Sequence, residues 1–156
     1  MKTVFVISAI VLLLAVCASA QTEVSLLAGQ QYNAGWITAV ANFGILTIDI
    51  NTENGWVLEE THVYVGIAPP RKSAPGRFPY KHENLPANST TDSYRITLTD
   101  VGAVCGSDLY IAVHAVVMDV ENGYGEETAW GEGSYIRAGK NWAMYFKTPV
   151  ICPQPR

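Results

Sequence analysis

Alternation with a period of two is the feature that most constrains how this chain folds. In Ile45-Leu46-Thr47-Ile48-Asp49-Ile50-Asn51, the apolar Leu46, Ile48 and Ile50 alternate with Thr47, Asp49 and Asn51. Successive side chains of an extended chain point to opposite sides, so this is a strand with one buried face. Beyond residue 20 no apolar stripe of helical period persists for three turns, which excludes a helical layer. Asn42-Phe43-Gly44 joins this strand to residues 36–41, and so short a glycine-containing connection predicts an antiparallel hairpin. Further strands are predicted over residues 23–27, 58–66, 94–98, 109–118 and 142–147. About seven strands separated by turns predict an all-β fold, an antiparallel two-sheet β-sandwich. Its expected core is Leu46, Ile48, Ile50, Val63, Val65, Ile96, Leu98, Ile111 and Val113.

Two long connections interrupt the alternation. Residues 67–93 hold five of the eight prolines, at 69, 70, 75, 79 and 86, so this stretch is expected to be an ordered, extended excursion rather than a central strand. Residues 119–139 concentrate Gly123, Gly125, Gly131, Gly133 and Gly139 with four glutamates. Long loops on a rigid scaffold are where binding residues usually sit.

The first twenty residues place Lys2 before an apolar run from Val4 to Val16, then Ala18-Ser19-Ala20. This is the pattern of a secretory leader cleaved after Ala20, too short for a membrane span. The expected organisation is a signal peptide over 1–20 and one domain over 21–156, secreted to the extracellular space without a transmembrane segment. Of three cysteines, Cys17 falls in the leader. Cys105 and Cys152 are left for an oxidising compartment, where a pair is expected to form a disulfide. Asn88-Ser89-Thr90 is an N-glycosylation sequon in a polar stretch.

Four ordered motifs then stand out: Gly55-Trp56-Val57-Leu58-Glu59-Glu60-Thr61-His62-Val63-Tyr64-Val65-Gly66, Pro75-Gly76-Arg77-Phe78-Pro79-Tyr80, Leu109-Tyr110-Ile111-Ala112-Val113-His114-Ala115 and Glu127-Thr128-Ala129-Trp130-Gly131-Glu132-Gly133. Their succession resembles a β-rich module of secreted and surface-attached microbial proteins. The resemblance implies an extracellular module and no particular chemistry.

Candidate sites follow from residue type. His62 and His114 lie within apolar strands; with Glu60, Glu127 or Glu132 they could form a zinc or copper site if the strands are adjacent. The competing reading is a pair of hydrogen-bonded core residues. His82, in the proline-rich loop, is expected to be solvated. Residues 119–127 offer oxygen ligands of the kind calcium takes, without EF-hand spacing. Trp130, with Tyr124 and Glu127 nearby in sequence, reads either as a glycan platform or as a buried plug.

A formal net charge of −4 excludes a polycationic nucleic-acid surface. No GxSxG elbow and no phosphate-cradling glycine loop are present, and bridged cysteines leave no Cys–His pair. The chain therefore reads as an extracellular binding or matrix module, whose expected partner is a glycan, a matrix or mineral surface, or a second copy. A metal-binding protein (zinc, copper or calcium) and a small glycoside hydrolase using Glu127 with Glu132 or Glu60 are the alternatives.

Overall fold

Ten strands succeed one another: β1 (Gln21–Ala28), β2 (Tyr32–Asn42), β3 (Ile45–Thr52), β4 (Trp56–Gly66), β5 (Tyr80–His82), β6 (Thr91–Thr97), β7 (Asp108–Asp119), β8 (Gly125–Gly131), β9 (Ser134–Tyr135) and β10 (Met144–Pro149). The computed structural model describes residues 20–153, so the expected leader lies outside the described residues except for Ala20. Among the described residues no helix is long and apolar enough to cross a membrane.

The strands pair antiparallel along one path, β5-β4-β7-β8-β1-β2-β3-β6. Off this path, β10 pairs with Asp108 to Ile111 of β7, while β8 pairs with His114 to Asp119 of the same strand. The expected all-β antiparallel fold is present, but about seven strands in two separate sheets is corrected to ten strands in one curled sheet. Two expected loops are corrected as well. Residues 119–139 contain β8 and β9, and residues 67–93 contain β5 and the start of β6.

Curling encloses the main apolar cluster. All nine residues expected inside lie in it, joined by Leu26, Ile37, Leu109, Val117 and Phe146 among others. Each side chain of this size buried in full is worth roughly 1.5–3 kcal/mol relative to exposure. The two ends of the sheet meet along a polar seam. The Leu58 amide donates to the Ser89 carbonyl at 2.7 Å. The Thr61 hydroxyl donates to the Asp92 carboxylate and lies 2.6 Å from the Tyr94 hydroxyl. Burial first, then the nearby Asp92 charge, outweigh the hydrogen bonds with Thr61 and His82 and push the Tyr94 phenol up to about 12.

The β2–β3 hairpin turns on Phe43 and Gly44, both at positive φ (47° and 81°). This is the two-residue geometry that matches strand twist. Phe43 is 85% exposed there. At the other end of the chain, Cys105 and Cys152 are bridged, with Cα atoms 4.9 Å apart. The bridge follows Val150, which forms a parallel bridge with Ala41 and accepts the Gly106 amide at 2.9 Å.

Candidate functional site

His62, His114, Trp130 and Glu60 meet on the outer face of β4, β7 and β8. On β4 the register shifts between Leu58 and Glu60, leaving Glu59 as an unpaired bulge residue. The extra residue resets the alternation. Thr61, Val63 and Val65 therefore face inward and His62 and Tyr64 outward. His62 stands opposite His114, His114 opposite Trp130, Trp130 opposite Leu27, and Lys81 opposite His62 on its other side.

This face is dry because two loops, residues 67–79 and 132–143, lie against it. Phe78 from the first and Ala143 from the second join Ala112, Trp130 and Met144 in a second apolar cluster. His62 and His114 are consequently only 4% and 6% exposed. Ring centroids run from His62 to His114 at 5.3 Å, on to Trp130 at 5.0 Å, and from Trp130 to Phe78 at 6.1 Å. Each of the four sequence motifs supplies one ring: His62 the first, Phe78 the second, His114 the third and Trp130 the fourth. The motifs converge in space although the chain spreads them over about 80 residues.

The two Nδ1 atoms of His62 and His114 are 3.2 Å apart. One ring must donate and the other accept, so the two imidazoles take opposite tautomers. His62 Nε2 faces Glu83 at 3.6 Å and Glu60 at 3.9 Å, which suits a proton on that nitrogen and leaves His114 Nδ1 as the donor. Burial first, then the facing His62, lower the His114 pKa to about 3. Between that value and the ordinary 6.5 the unfolded chain binds the proton and the folded one does not. His114 therefore adds stability that is complete above pH 6.5 and is lost as pH falls toward 3. Lys81, Glu60 and Glu83 are the charged groups around the pair. Urea unfolding between pH 4 and 6.5 is expected to show stability rising by up to about 1.4 kcal/mol per unit. His114→Gln removes that slope, and equal slopes in the two proteins would contradict the assignment.

As metal ligands these residues form an incomplete set. The two Nδ1 atoms point at each other, but Glu60 and Glu83 approach the opposite edge of His62. Glu132 lies past the end of β8, where its amide bonds Ser25. Among the described residues no three His, Cys, Asp or Glu side chains converge on one point. In the acidic turn, the Asp119 carboxylate accepts the Tyr124, Asn122 and Glu121 amides at 2.9–3.1 Å. Burial raises its pKa, and these bonds with the Asn122 side chain outweigh burial and hold it below the ordinary value. Both its oxygens thus take part in closing the turn.

The three residues read as a ligand site are separated. Trp130 is 4% exposed and faces outward beneath Phe78. Glu127 projects from the other face of β8, its carboxylate over Gly29. Tyr124 stacks on Tyr32 at 4.2 Å in the turn. Glu59 has a neighbour that sequence reasoning missed: burial first, then the charge and hydrogen bond of Glu126, raise its pKa. With Glu60 and the sequon Asn88 it lines a cleft of about 530 Å³. His82 is exposed, as expected; in addition its ring stacks on Tyr94 at 4.4 Å and its Nδ1 lies 2.9 Å from Asp92.

Two further depressions lie on the outer-face loops. One, of about 460 Å³, is lined by Gln30, Tyr135, Lys140, Asn141 and Trp142. Another, of about 330 Å³, is set in the proline-rich loop beside Tyr64. No family model, curated protein or solved structure matches the chain.

Proposed function

We propose that the protein is an extracellular glycan-binding module that holds its ligand on the loops covering the outer face. The observation that carries this is the open groove of Gln30, Tyr135, Lys140, Asn141 and Trp142. A sugar ring presents an apolar C–H face and a rim of hydroxyls. Its complement is an aromatic plane flanked by amides and an ammonium. Tyr135 is 57% exposed, Trp142 is half-buried, and both sit on a segment anchored by the Ile136 amide on the Ala143 carbonyl at 2.8 Å. The leader-like pattern of residues 1–20, the Cys105–Cys152 bridge and the resemblance of the four motifs to a module of secreted microbial proteins support an extracellular setting. The aromatic platform that the sequence suggested at Trp130 is thereby moved to Tyr135 and Trp142.

A glycan array probed with the oxidised protein tests this reading. Tyr135→Ala, at an exposed position, is expected to weaken binding about tenfold, the equivalent of one lost contact of about 1.4 kcal/mol. A wild-type protein that retains no glycan would remove the proposal.

A further inference from the structure

We infer that the glycan is polyanionic, and that its sulfate or carboxylate groups are held by Arg71, Lys72 and Arg77. This inference rests on the glycan-binding reading and adds the ligand's charge and a second subsite.

The chain carries fourteen acidic residues against ten basic ones. Against that background, residues 67–79 hold three cations and no carboxylate. Residues 132–143 add Arg137 and Lys140 against the single Glu132. Half of the protein's cations thus lie on the two loops that cover one face, while the net charge elsewhere is strongly negative. Arg71, Lys72 and Arg77 are exposed, and none of them pairs with a carboxylate among the described residues. Cations left unpaired on an acidic protein are free to meet an anion from outside.

The three cations also share a shaped support. Arg71, Lys72 and Arg77 line the 330 Å³ depression with Tyr64, Pro69 and Pro70. Its apolar floor is fixed from below. The Tyr64 hydroxyl donates to the Ala68 carbonyl at 2.9 Å, and Phe78 is buried against Trp130. Pro69, Pro70, Pro75 and Pro79 limit the backbone of the loop, so little ordering entropy is lost when a ligand docks. Guanidinium groups bind sulfate and carboxylate through paired N–H donors, and a ring C–H face rests on proline and tyrosine carbon. Cations over an apolar floor fit a charged sugar better than a bare inorganic anion.

The two loops are joined, which makes the two depressions parts of one surface. Asn141 Nδ2 donates to Ser73 Oγ at 2.7 Å. Lys72 and Lys140, each the chain neighbour of one bonded residue, flank that joint. A polysaccharide lying over Tyr135 and Trp142 and continuing across it meets Arg71 and Arg77 next.

The test is immobilised-glycan binding by the full oxidised protein. The ligands are a sulfated polysaccharide, its desulfated counterpart, a polyuronate and a neutral glucan; phosphatidylserine vesicles and inorganic sulfate serve as competitors. Binding to the sulfated or uronate polymer is expected, falling steeply between 50 and 500 mM salt in the manner of exposed charge pairs, those salt levels being about 14 and 4 Å in screening length. The triple variant Arg71→Ser/Lys72→Ser/Arg77→Ser is expected to lose at least about tenfold in affinity with an unchanged melting curve, since charge-assisted bonds are the strong ones and all three side chains are exposed. Equal binding to the neutral or desulfated polymer would overturn the anionic inference and leave the glycan reading standing. Retention of no glycan at all would end both readings. Anionic-polymer binding that survives in the triple variant would overturn the assignment to this loop. Binding to the vesicles, or saturation by inorganic sulfate at equal charge, in place of the polymers would replace the glycan with a membrane or a simple anion and likewise overturn the inference.

Discussion

Replacing Gly35 by alanine is expected to abolish the folded protein. Gly35 lies in β2 with φ of +152°, opposite Leu26 on one side and Thr52 on the other. It stands where the β1–β2 register shifts between Leu26 and Leu27. A Cβ at this position would be 2.0 Å from the Asn51 carbonyl oxygen and 2.7 Å from Thr52 Cα. Both are backbone atoms of β3, so no rotamer change relieves the overlap; β2 and β3 would have to separate in mid-sheet. Strained φ alone costs on the order of 1–3 kcal/mol, and the clash adds to it. Against a typical margin of about 5–15 kcal/mol, the sum removes most or all of the stability. Gly102→Ala supplies the control. Gly102 has φ of +70° but no atom within 4 Å of a built Cβ, so only the backbone term of roughly 1 kcal/mol remains. The yield of folded protein and thermal melting should separate the two variants cleanly. A Gly35→Ala protein that melts with the wild type would refute the close approach of β2 and β3.

The second large effect is expected from the Cys105–Cys152 bridge. Its partners are 47 residues apart, and the chain-entropy model assigns a loop of that size roughly 4 kcal/mol. The bridge also holds the segment through which Val150 reaches Ala41 and the Ile151 amide donates to the Ala41 carbonyl at 2.9 Å. Reduction, or the double variant Cys105→Ser/Cys152→Ser, is expected to lower the melting temperature by about 10–15 °C for a domain of this size. Melting curves that coincide with and without full reduction would show that the tail is held by packing alone.

How much of this was legible in the sequence depends on what a pattern can report. Leu46, Ile48 and Ile50 announced an inward face because Thr47, Asp49 and Asn51 between them are at most partly buried. Periodicity says which side of a strand is apolar; it does not say which strands pair. The β1–β8 contact that merges two expected sheets into one rests on three residue pairs, Leu26–Gly131, Leu27–Trp130 and Ala28–Ala129. Nothing local marks it. β7 reads as a nearly continuous apolar run because Ala112 and His114 are buried under the covering loops while Ile111 and Val113 are buried in the main core. Glycines at 123, 125, 131 and 133 disguised β8 as loop, although Glu126, Thr128 and Trp130 alternate along it. The pairing of His62 with His114 was readable only as a condition on strand adjacency, which β4 and β7 fulfil. The seam around His82 was out of reach. It depends on β6 returning to the far edge of the sheet, a matter of topology that no window of residues encodes.

The joining of β1 to β8 sets a timetable for the nascent chain. β1 finds its β8 partner only about a hundred residues later in the sequence, and connections of that span fold slowly, in milliseconds to seconds. Until then one edge of the β1–β2–β3 meander is bare and the polypeptide is vulnerable to mispairing with its neighbours. β10 arrives later still. In the folded chain it lies along β7 and brings Val150 to Ala41, and this placement sets Cys152 beside Cys105. The bridge closes a loop that runs from before β7 to just past β10, so once formed it ties this late-arriving strand covalently to the start of the segment it must pair with.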